Sequence, residues 1–411
     1  MMQTATITII GTVLLDLAST AFYLLTNNKT VGFASGLIAC ILLWRTDGRF
    51  KGDRALVIGA VIFFILRAAA ILNTYEPWDL KVYHDTGRAI LSGADPYQAV
   101  DTQYPVNTLP FFALVALVPL NAAAVLWYAF NTLALFATLR LGQILASGDG
   151  PTAERSRWDD DAPVTVGIML AGATTWGIDA GQLVVWTALW VYVAVRSLLR
   201  NQQVAAGLAM IASSLKITTA LPFAILLLDR RHWKSVAIAA VGVLILCFCL
   251  YPPKRVIELQ QEHIATVNHA RNSGEINDYT FNGPYHDDML GLEHWLYCLG
   301  LRDQKMIGRI QLVMLGLIGT GILWDFRLSR RPRDETLLAT LLCVYACIFL
   351  YHRIYDAVIL ALPCYYAMRL ARRSSRGKRI LLRAIVTGFL LVLNFPRGGV
   401  AMSLARWTES A

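Results

Sequence analysis

Long apolar runs recur along this chain from its first residues to its last, separated by short polar segments. Hydrophobic residues make up 56% of the 411 residues and charged residues 16%. A backbone in lipid must satisfy its polar groups within its own segment, which favours helices for runs of this length. The sequence therefore predicts an all-α integral membrane protein with a single polytopic domain over residues 1–411.

The basic residues indicate how the chain is oriented. The formal net charge of +9 comes from Lys and Arg in short clusters between apolar runs, and the positive-inside rule places such clusters in the cytoplasm. This distribution argues against a nucleic-acid-binding protein, in which the charge forms a basic patch. The first apolar run, Ile7–Leu25, lacks the basic flank of a cleavable signal peptide, so we expect a helix of the mature protein.

Hydropathy predicts about thirteen transmembrane spans, that is, a bundle of about 12–14 helices. Two of them are short and are expected to meet near Lys216, an arrangement that membrane proteins tolerate where the backbone lines a cavity. The predicted spans are Ile7–Leu25, Val31–Trp44, Leu56–Asn73, Ala122–Arg140, Val164–Trp176, Leu183–Leu199, Val204–Ser214, Ala220–Leu228, Val236–Leu250, Ile310–Trp324, Leu337–Tyr351, Ala357–Leu370 and Ile380–Leu393.

The apolar segment Leu109–Leu120 is an exception to this pattern. A full crossing there would put every later basic cluster on the wrong side of the membrane. As a helix it reaches only about 18 Å, well short of the hydrocarbon core, so it is expected to be re-entrant or interfacial. With this topology, the first polar loop (74–108) and the long loop 251–309 both lie on the extracytoplasmic side.

The polar and aromatic segment Glu76–Tyr97 is predicted to contain a short amphipathic helix in the membrane interface. Asp79 lies where that helix begins, and two interpretations are open. Its carboxylate is either an N-cap that accepts backbone N–H bonds, or a general base that takes a proton from a sugar hydroxyl. Asp85 is the second candidate for the base.

The run from Trp78 to Tyr97, followed by Tyr104-Pro105, resembles the signature of glycosyltransferase family 87, whose members have the GT-C fold. The family includes polyprenyl-phosphate-mannose-dependent α-mannosyltransferases of phosphatidylinositol mannoside assembly. Gly181-Gln182, Leu215-Lys216 before Pro222, and the region from His352 to Asp356 are also similar. The loop beginning Asn282-Gly-Pro-Tyr departs from the family pattern, which leaves the acceptor open.

The resemblance implies an inverting GT-C enzyme of the plasma (inner) membrane with its active site on the extracytoplasmic side. Such an enzyme moves a hexose, commonly mannose, from polyprenyl phosphate to a lipid-linked or cell-envelope glycan acceptor. Asp79 is the implied base. We expect no cofactor and no metal, because the spacing of the acids and histidines in the long loop matches neither a zinc nor a calcium site.

Six further residues are candidates for substrate contacts. A phosphate leaving group needs cations, and Lys216, His352 and Arg353 are predicted to bind the donor phosphate. The alternative for Lys216 is snorkelling to the interface, and for the other two it is anchoring of a helix end. The remaining candidates, which are predicted to bind substrate, are Tyr83, Gln182 and Tyr104.

Rival functions remain open at the level of sequence. One is a GT-C enzyme that uses polyprenyl-phosphate arabinofuranose or galacturonic acid. A lipid or solute transporter would also explain broken helices and intramembrane charge. The two halves of such a protein are usually related, however, and no relation between halves is evident in this sequence. A noncatalytic scaffold is the third. The long loop 251–309, with its aromatic and polar residues, is expected to form a lid over the acceptor.

Overall fold

The computed structural model describes residues 77–100, 102–148, 161–227, 230–328, 334–350 and 353–394. Within these ranges every regular element is a helix, and the pairing of Met289 with Arg353 is an isolated bridge. The three predicted spans nearest the N-terminus, Ile7–Leu25, Val31–Trp44 and Leu56–Asn73, lie outside the described residues, as does His352.

The helices follow one another with short connections. The α-helices are Trp78–Leu91, Pro96–Ala99, Leu109–Val115, Leu120–Ser147, Ala162–Met169, Gly172–Asp179, Val184–Leu199, Gln203–Ser213, Ile217–Ala220, Ala224–Leu227, Trp233–Phe248, Pro253–Ala270, Leu292–Cys298, Gln304–Leu328, Glu335–Phe349, Ala361–Arg373 and Arg376–Asn394. The 3-10 helices are Val106–Thr108, Ser214–Lys216, Leu221–Phe223, Arg230–His232, His286–Asp288 and Ile354–Leu360.

Four helical stretches in the described ranges are long and apolar enough to cross a membrane: Leu120–Ser147, Gln203–Leu227, Gln304–Asp325 and Ile354–Arg373. Two bent pairs, with angles of 109° and 92°, raise the number to six if each is one span. The prediction of an all-α membrane protein is confirmed. Hydropathy nevertheless counted more spans in these ranges, because it does not distinguish a short, bent helix from a crossing.

The break predicted near Lys216 is present, but the chain does not turn back there. Gln203–Leu227 is one apolar stretch of 25 residues whose middle tightens into 3-10 turns. Lys216 departs from helical geometry with φ −128° and ψ 84°. The prediction of two separate short spans is therefore wrong, because the irregular backbone continues as one stretch beyond Lys216.

The segment 251–309 is more ordered than the predicted loop. It opens with Pro253–Ala270, an 18-residue helix that contacts the first polar loop. Arg255 forms an ion pair with Asp95, and the Asn277 side-chain amide bonds the Gln103 side chain. The two polar segments are thus joined to each other.

The helix Trp78–Leu91 packs closely on the short apolar helix Leu109–Val115. The Tyr83 and Phe112 rings stack with centroids 4.7 Å apart. A Cβ atom at Gly87 would lie 2.1 Å from the Phe112 carbonyl oxygen, so only glycine lets the two backbones approach this closely. The prediction that Leu109–Leu120 holds no full-length span is confirmed, since its helix has seven residues.

We expect Gly87→Ala to destabilise the protein by about 1–2 kcal/mol, because overpacking outweighs the gain in helix propensity. Gly308→Ala is the matched control, since that glycine is also helical and an added Cβ meets nothing within 4 Å. Thermal unfolding in detergent measures both. Equal melting temperatures for the two variants would contradict this expectation. They would show that Trp78–Leu91 and Leu109–Val115 can move apart to accept the added Cβ without a loss of stability.

Candidate active site

A cavity of about 300 Å³ lies where five segments distant in sequence meet. It gathers five of the predicted residues: Asp79, Tyr104, Gln182, Lys216 and Arg353. The other described lining residues are Val82, Gln103, Pro105, Leu215, Ile217, Thr218, His263, Val267, Arg271, Ile276, Asn277 and Tyr355. Sequence reasoning missed the contribution of Gln103, Arg271 and Asn277, since nothing in their local pattern marks them.

Asp79 is held in the cavity wall by the backbone around it. Its N–H donates to the Ala180 carbonyl oxygen at 2.9 Å, in the bend between Gly172–Asp179 and Val184–Leu199. Gly181 makes this contact possible, because its φ is +78° and a Cβ there would lie 2.7 Å from the Leu80 Cβ. The Trp127 indole N–H donates to the Gly181 carbonyl oxygen at 2.8 Å and fixes the bend.

The structure excludes the interpretation of Asp79 as a helix cap. Pro77 is the N-cap residue, and the N-cap makes no side-chain hydrogen bond. Asp79 lies inside the first turn, where its carboxylate faces the cavity. Asp85, the second candidate for the base, is 39% exposed, bonds Lys81 at 3.0 Å and does not line the cavity.

Burial raises the pKa of Asp79 to about 6. A hydrogen bond with Gln182 and the charges of Arg353 and Lys216 lower the pKa, while the charge of Asp356 raises it. Desolvation thus outweighs the nearby cations. A carboxylate with this pKa is ionised at neutral pH, yet is basic enough to accept a proton.

Tyrosine hydroxyls and the Gln182 amide form a chain beside Asp79. The Tyr83 and Tyr104 hydroxyls are 2.7 Å apart, the Tyr104 hydroxyl lies 3.5 Å from Gln182 Oε1, and Gln182 Nε2 donates to the Tyr355 hydroxyl at 3.2 Å. Burial raises the pKa of Tyr104 far above its usual range, so its hydroxyl stays protonated. The chain sets the orientation of Gln182 toward Asp79.

The prediction of Tyr83 as a substrate-binding residue requires correction. Its side chain is fully buried and does not line the cavity. Packing against Phe112 and the hydrogen bond to Tyr104 account for that burial. Tyr83 therefore supports Tyr104 from behind.

Lys216 and Arg353 bring positive charge to the same wall. Lys216 is 12% exposed, lies 5.1 Å from the centre of the Tyr355 ring and forms an ion pair with Asp356. Arg353 donates to the Ile276 carbonyl oxygen at 2.9 Å and to Asn277 Oδ1 at 3.1 Å. Both cations are thus directed by neighbouring groups rather than extended to the membrane surface, which argues against snorkelling for Lys216.

Asp356 was absent from the predicted site, although its partner was in it. Its side chain is 1% exposed, and a lysine within a membrane span is costly unless it is paired. The need for a counter-ion near Lys216 implies an acid close by in the fold, but it does not indicate which acid. Among the described residues, no group of three His, Cys, Asp or Glu side chains has the geometry to hold a metal ion.

Gln182→Leu should raise the pKa of Asp79 above about 6, since it removes a hydrogen bond that lowers it. Carbodiimide reacts with protonated carboxyls, so mass spectrometry of labelled peptides across pH reports the titration of Asp79. Labelling of the more exposed Asp85 serves as the internal control and should not change. An unchanged midpoint for Asp79 would mean that Gln182 does not bond its carboxylate.

Comparison with known proteins bears on the whole site. The sequence model of glycosyltransferase family 87 matches residues 102–352, more than half of the chain. No curated protein and no solved structure matches it. The matched range contains three of the five predicted residues that line the cavity, while Asp79 lies before it and Arg353 directly after it. Together with the apolar helical bundle, the match shows that this chain belongs to glycosyltransferase family 87 and is a multi-pass membrane glycosyltransferase.

Proposed function

We propose that this glycosyltransferase moves a hexose from a polyprenyl-phosphate donor to a hydroxyl of a lipid-linked or cell-envelope glycan, with Asp79 as the general base. Mannose is the sugar that the resemblance implies. The observation that carries the proposal is the single cavity in which Asp79 lies with Lys216, Arg271 and Arg353. A glycosyl transfer from a lipid phosphate needs both kinds of charge close together.

In the proposed reaction, the Asp79 carboxylate accepts the proton of the acceptor hydroxyl as that oxygen bonds the anomeric carbon. The bond from this carbon to the phosphate oxygen breaks at the same time, and the phosphate leaves with the electron pair. Attack opposite to the leaving group inverts the anomeric carbon. Because Asp79 is ionised at neutral pH, it is ready to take the proton.

Lys216 and Arg353 are proposed to bind the donor phosphate. Negative charge grows on that phosphate as the glycosidic bond breaks, and fixed cations in a site of low dielectric stabilise it strongly. Tyr104 and Gln182, whose side chains reach the cavity with both donor and acceptor groups, are proposed to bind sugar hydroxyls. His352 remains a predicted donor ligand, outside the described residues.

The acceptor is proposed to enter under Pro253–Ala270 and the turn that follows it. His263, Val267 and Arg271 from this segment line the cavity together with Asp79. The polyprenyl chain would lie along the apolar spans and bring its phosphate to the cavity from the bilayer. The cavity is proposed to open on the extracytoplasmic side of the plasma (inner) membrane, which is supported by the positive-inside rule applied to the basic clusters between spans.

Asp79→Asn should lower sugar transfer by at least about 100-fold, since general bases contribute about 10²–10⁴-fold and asparagine cannot accept the proton. The assay supplies purified protein in nanodiscs with labelled polyprenyl-phosphate mannose and a membrane-lipid extract. Parallel reactions with arabinofuranosyl and galacturonosyl lipids decide the sugar. Asp85→Asn is the matched control and should keep full activity, because Asp85 lies outside the cavity.

Two results would contradict the proposal. Full activity in Asp79→Asn would assign the base to another group. A wild-type enzyme that transfers none of the three sugars would refute the proposed donor class. In either case the folded state is checked by thermal unfolding, where Asp79→Asn should not be less stable at pH 7 because it removes a desolvated charge.

The pH dependence of the wild type provides a second test. Transfer should rise with pH through about 6 as Asp79 loses its proton. Stability should move the other way, since the folded pKa lies above the unfolded one: the contribution of Asp79 is full below about pH 4 and is lost as pH rises through about 6. If transfer instead rose with pH near 4, Asp79 would not be desolvated in the working enzyme.

A further inference from the structure

Asp356 lies behind the cavity wall and bonds two of the groups that form it. Its Oδ1 accepts the ion pair from Lys216, and its Oδ2 accepts a hydrogen bond from the Arg353 backbone N–H at 3.1 Å. The side chain is 1% exposed, so it does not reach substrate. A buried carboxylate with both oxygens engaged is well placed to orient its partners.

The position of Lys216 makes this orientation consequential. Lys216 and Asp79 line the same cavity, and the lysine charge already lowers the pKa of Asp79. A lysine side chain is long and flexible, and in a site of low dielectric it will pair with whichever carboxylate is available. Two carboxylates, Asp79 and Asp356, are therefore competing partners for one ammonium group.

We propose that Asp356 is a positioning residue that holds the Lys216 ammonium on the phosphate-binding wall and away from Asp79, so that Asp79 stays unpaired and able to accept a proton. This inference rests on the proposed function. Lys216 pairs with Asp356 rather than Asp79 in the structure, and the helical geometry is broken at Lys216 itself. Asp79 meanwhile keeps a raised pKa, as a carboxylate paired with lysine would not.

Other charged and titratable groups near Asp79 also contribute to its electrostatic environment. They come from the first polar loop, the bend at 180–182, the helix Pro253–Ala270 with its following turn, and the segment after 352. In the described residues they are Tyr83, Tyr104, Lys216, His263, Arg271, Arg353, Tyr355 and Asp356. Arg271 bonds Glu293 at 2.7 Å, and Arg353 bonds Asn277, so Lys216 is the cation whose partner the proposed exchange changes.

The test compares the wild type, Asp356→Asn, and the double variant Asp356→Asn/Lys216→Met in nanodiscs. The double variant avoids leaving Asp356 buried without its cation. Two quantities are followed against pH: sugar transfer, and carbodiimide labelling of Asp79, which needs no turnover. In Asp356→Asn, Lys216 should pair with Asp79, lowering the labelling midpoint from about 6 by about 1–3 pH units and transfer at pH 7 by about tenfold or more.

The double variant separates capture by Lys216 from loss of the Asp356 charge. If Lys216 captures Asp79, its removal returns the labelling midpoint to about 6 or higher. A midpoint that stays low in the double variant, or one that is unchanged in Asp356→Asn, would overturn the positioning role. A wild type that transfers no sugar would instead refute the proposed function, while the labelling midpoints would still decide whether Asp356 keeps Lys216 from Asp79.

Discussion

The contact between the start of the helix Trp78–Leu91 and the bend at 180–182 determines how the rest of the site is arranged. The Asp79 N–H bonds the Ala180 carbonyl oxygen, so the backbone donor at the first turn is satisfied by a distant segment rather than by a cap. Gly181 lets the chains come together, and Trp127 ties the bend to the helix Leu120–Ser147. As a result, Asp79 has a fixed position, although its carboxylate oxygens make no capping hydrogen bond to the helix.

Charge is the second organising element, because each ionised group in this wall carries a desolvation cost. Lys216 offsets that cost by pairing with the buried Asp356, whereas Arg271 is 45% exposed and pairs with Glu293 at the surface. Asp79 has no such ion pair in the described residues and has the raised pKa that follows. This asymmetry separates the cations proposed to bind phosphate from the carboxylate proposed to accept a proton, although all of them share one cavity.

Sequence reasoning found the residues whose chemistry is unusual for their location. A lysine within an apolar stretch conflicts with its surroundings, so Lys216 could be identified from its location, whereas Asp79 also fitted a helix cap and was singled out as the base by the family resemblance. Asp356, Arg271 and Asn277 could not be identified from the sequence, because their role depends on which distant segments meet.

Tyr83 was wrongly assigned to substrate binding. Its aromatic ring and hydroxyl suit sugar binding, but only the packing in the structure reveals that Phe112 covers it. The break at 180–182 was anticipated by the predicted ends at Trp176 and Leu183, but hydropathy could not show that the helices on its two sides form a bent pair rather than two full crossings.

The contacts that join the two polar segments bear on how substrates reach the cavity. The ion pair of Arg255 with Asp95 and the bond of Asn277 with Gln103 hold Pro253–Ala270 and its following turn against the first polar loop. Gln103 and Asn277 line the cavity, as do the apolar side chains of Leu215 and Ile217. In the proposed reaction, a lipid-linked donor that approaches along the apolar spans would leave these contacts intact, whereas an acceptor that enters beneath the helix would displace at least one of them. Partly exposed ion pairs of this kind contribute little to stability, so their loss during acceptor entry costs about 1 kcal/mol or less. The contact between the two segments thus helps to shape the cavity, and opening it would add little to the free energy that acceptor binding requires in the proposed reaction.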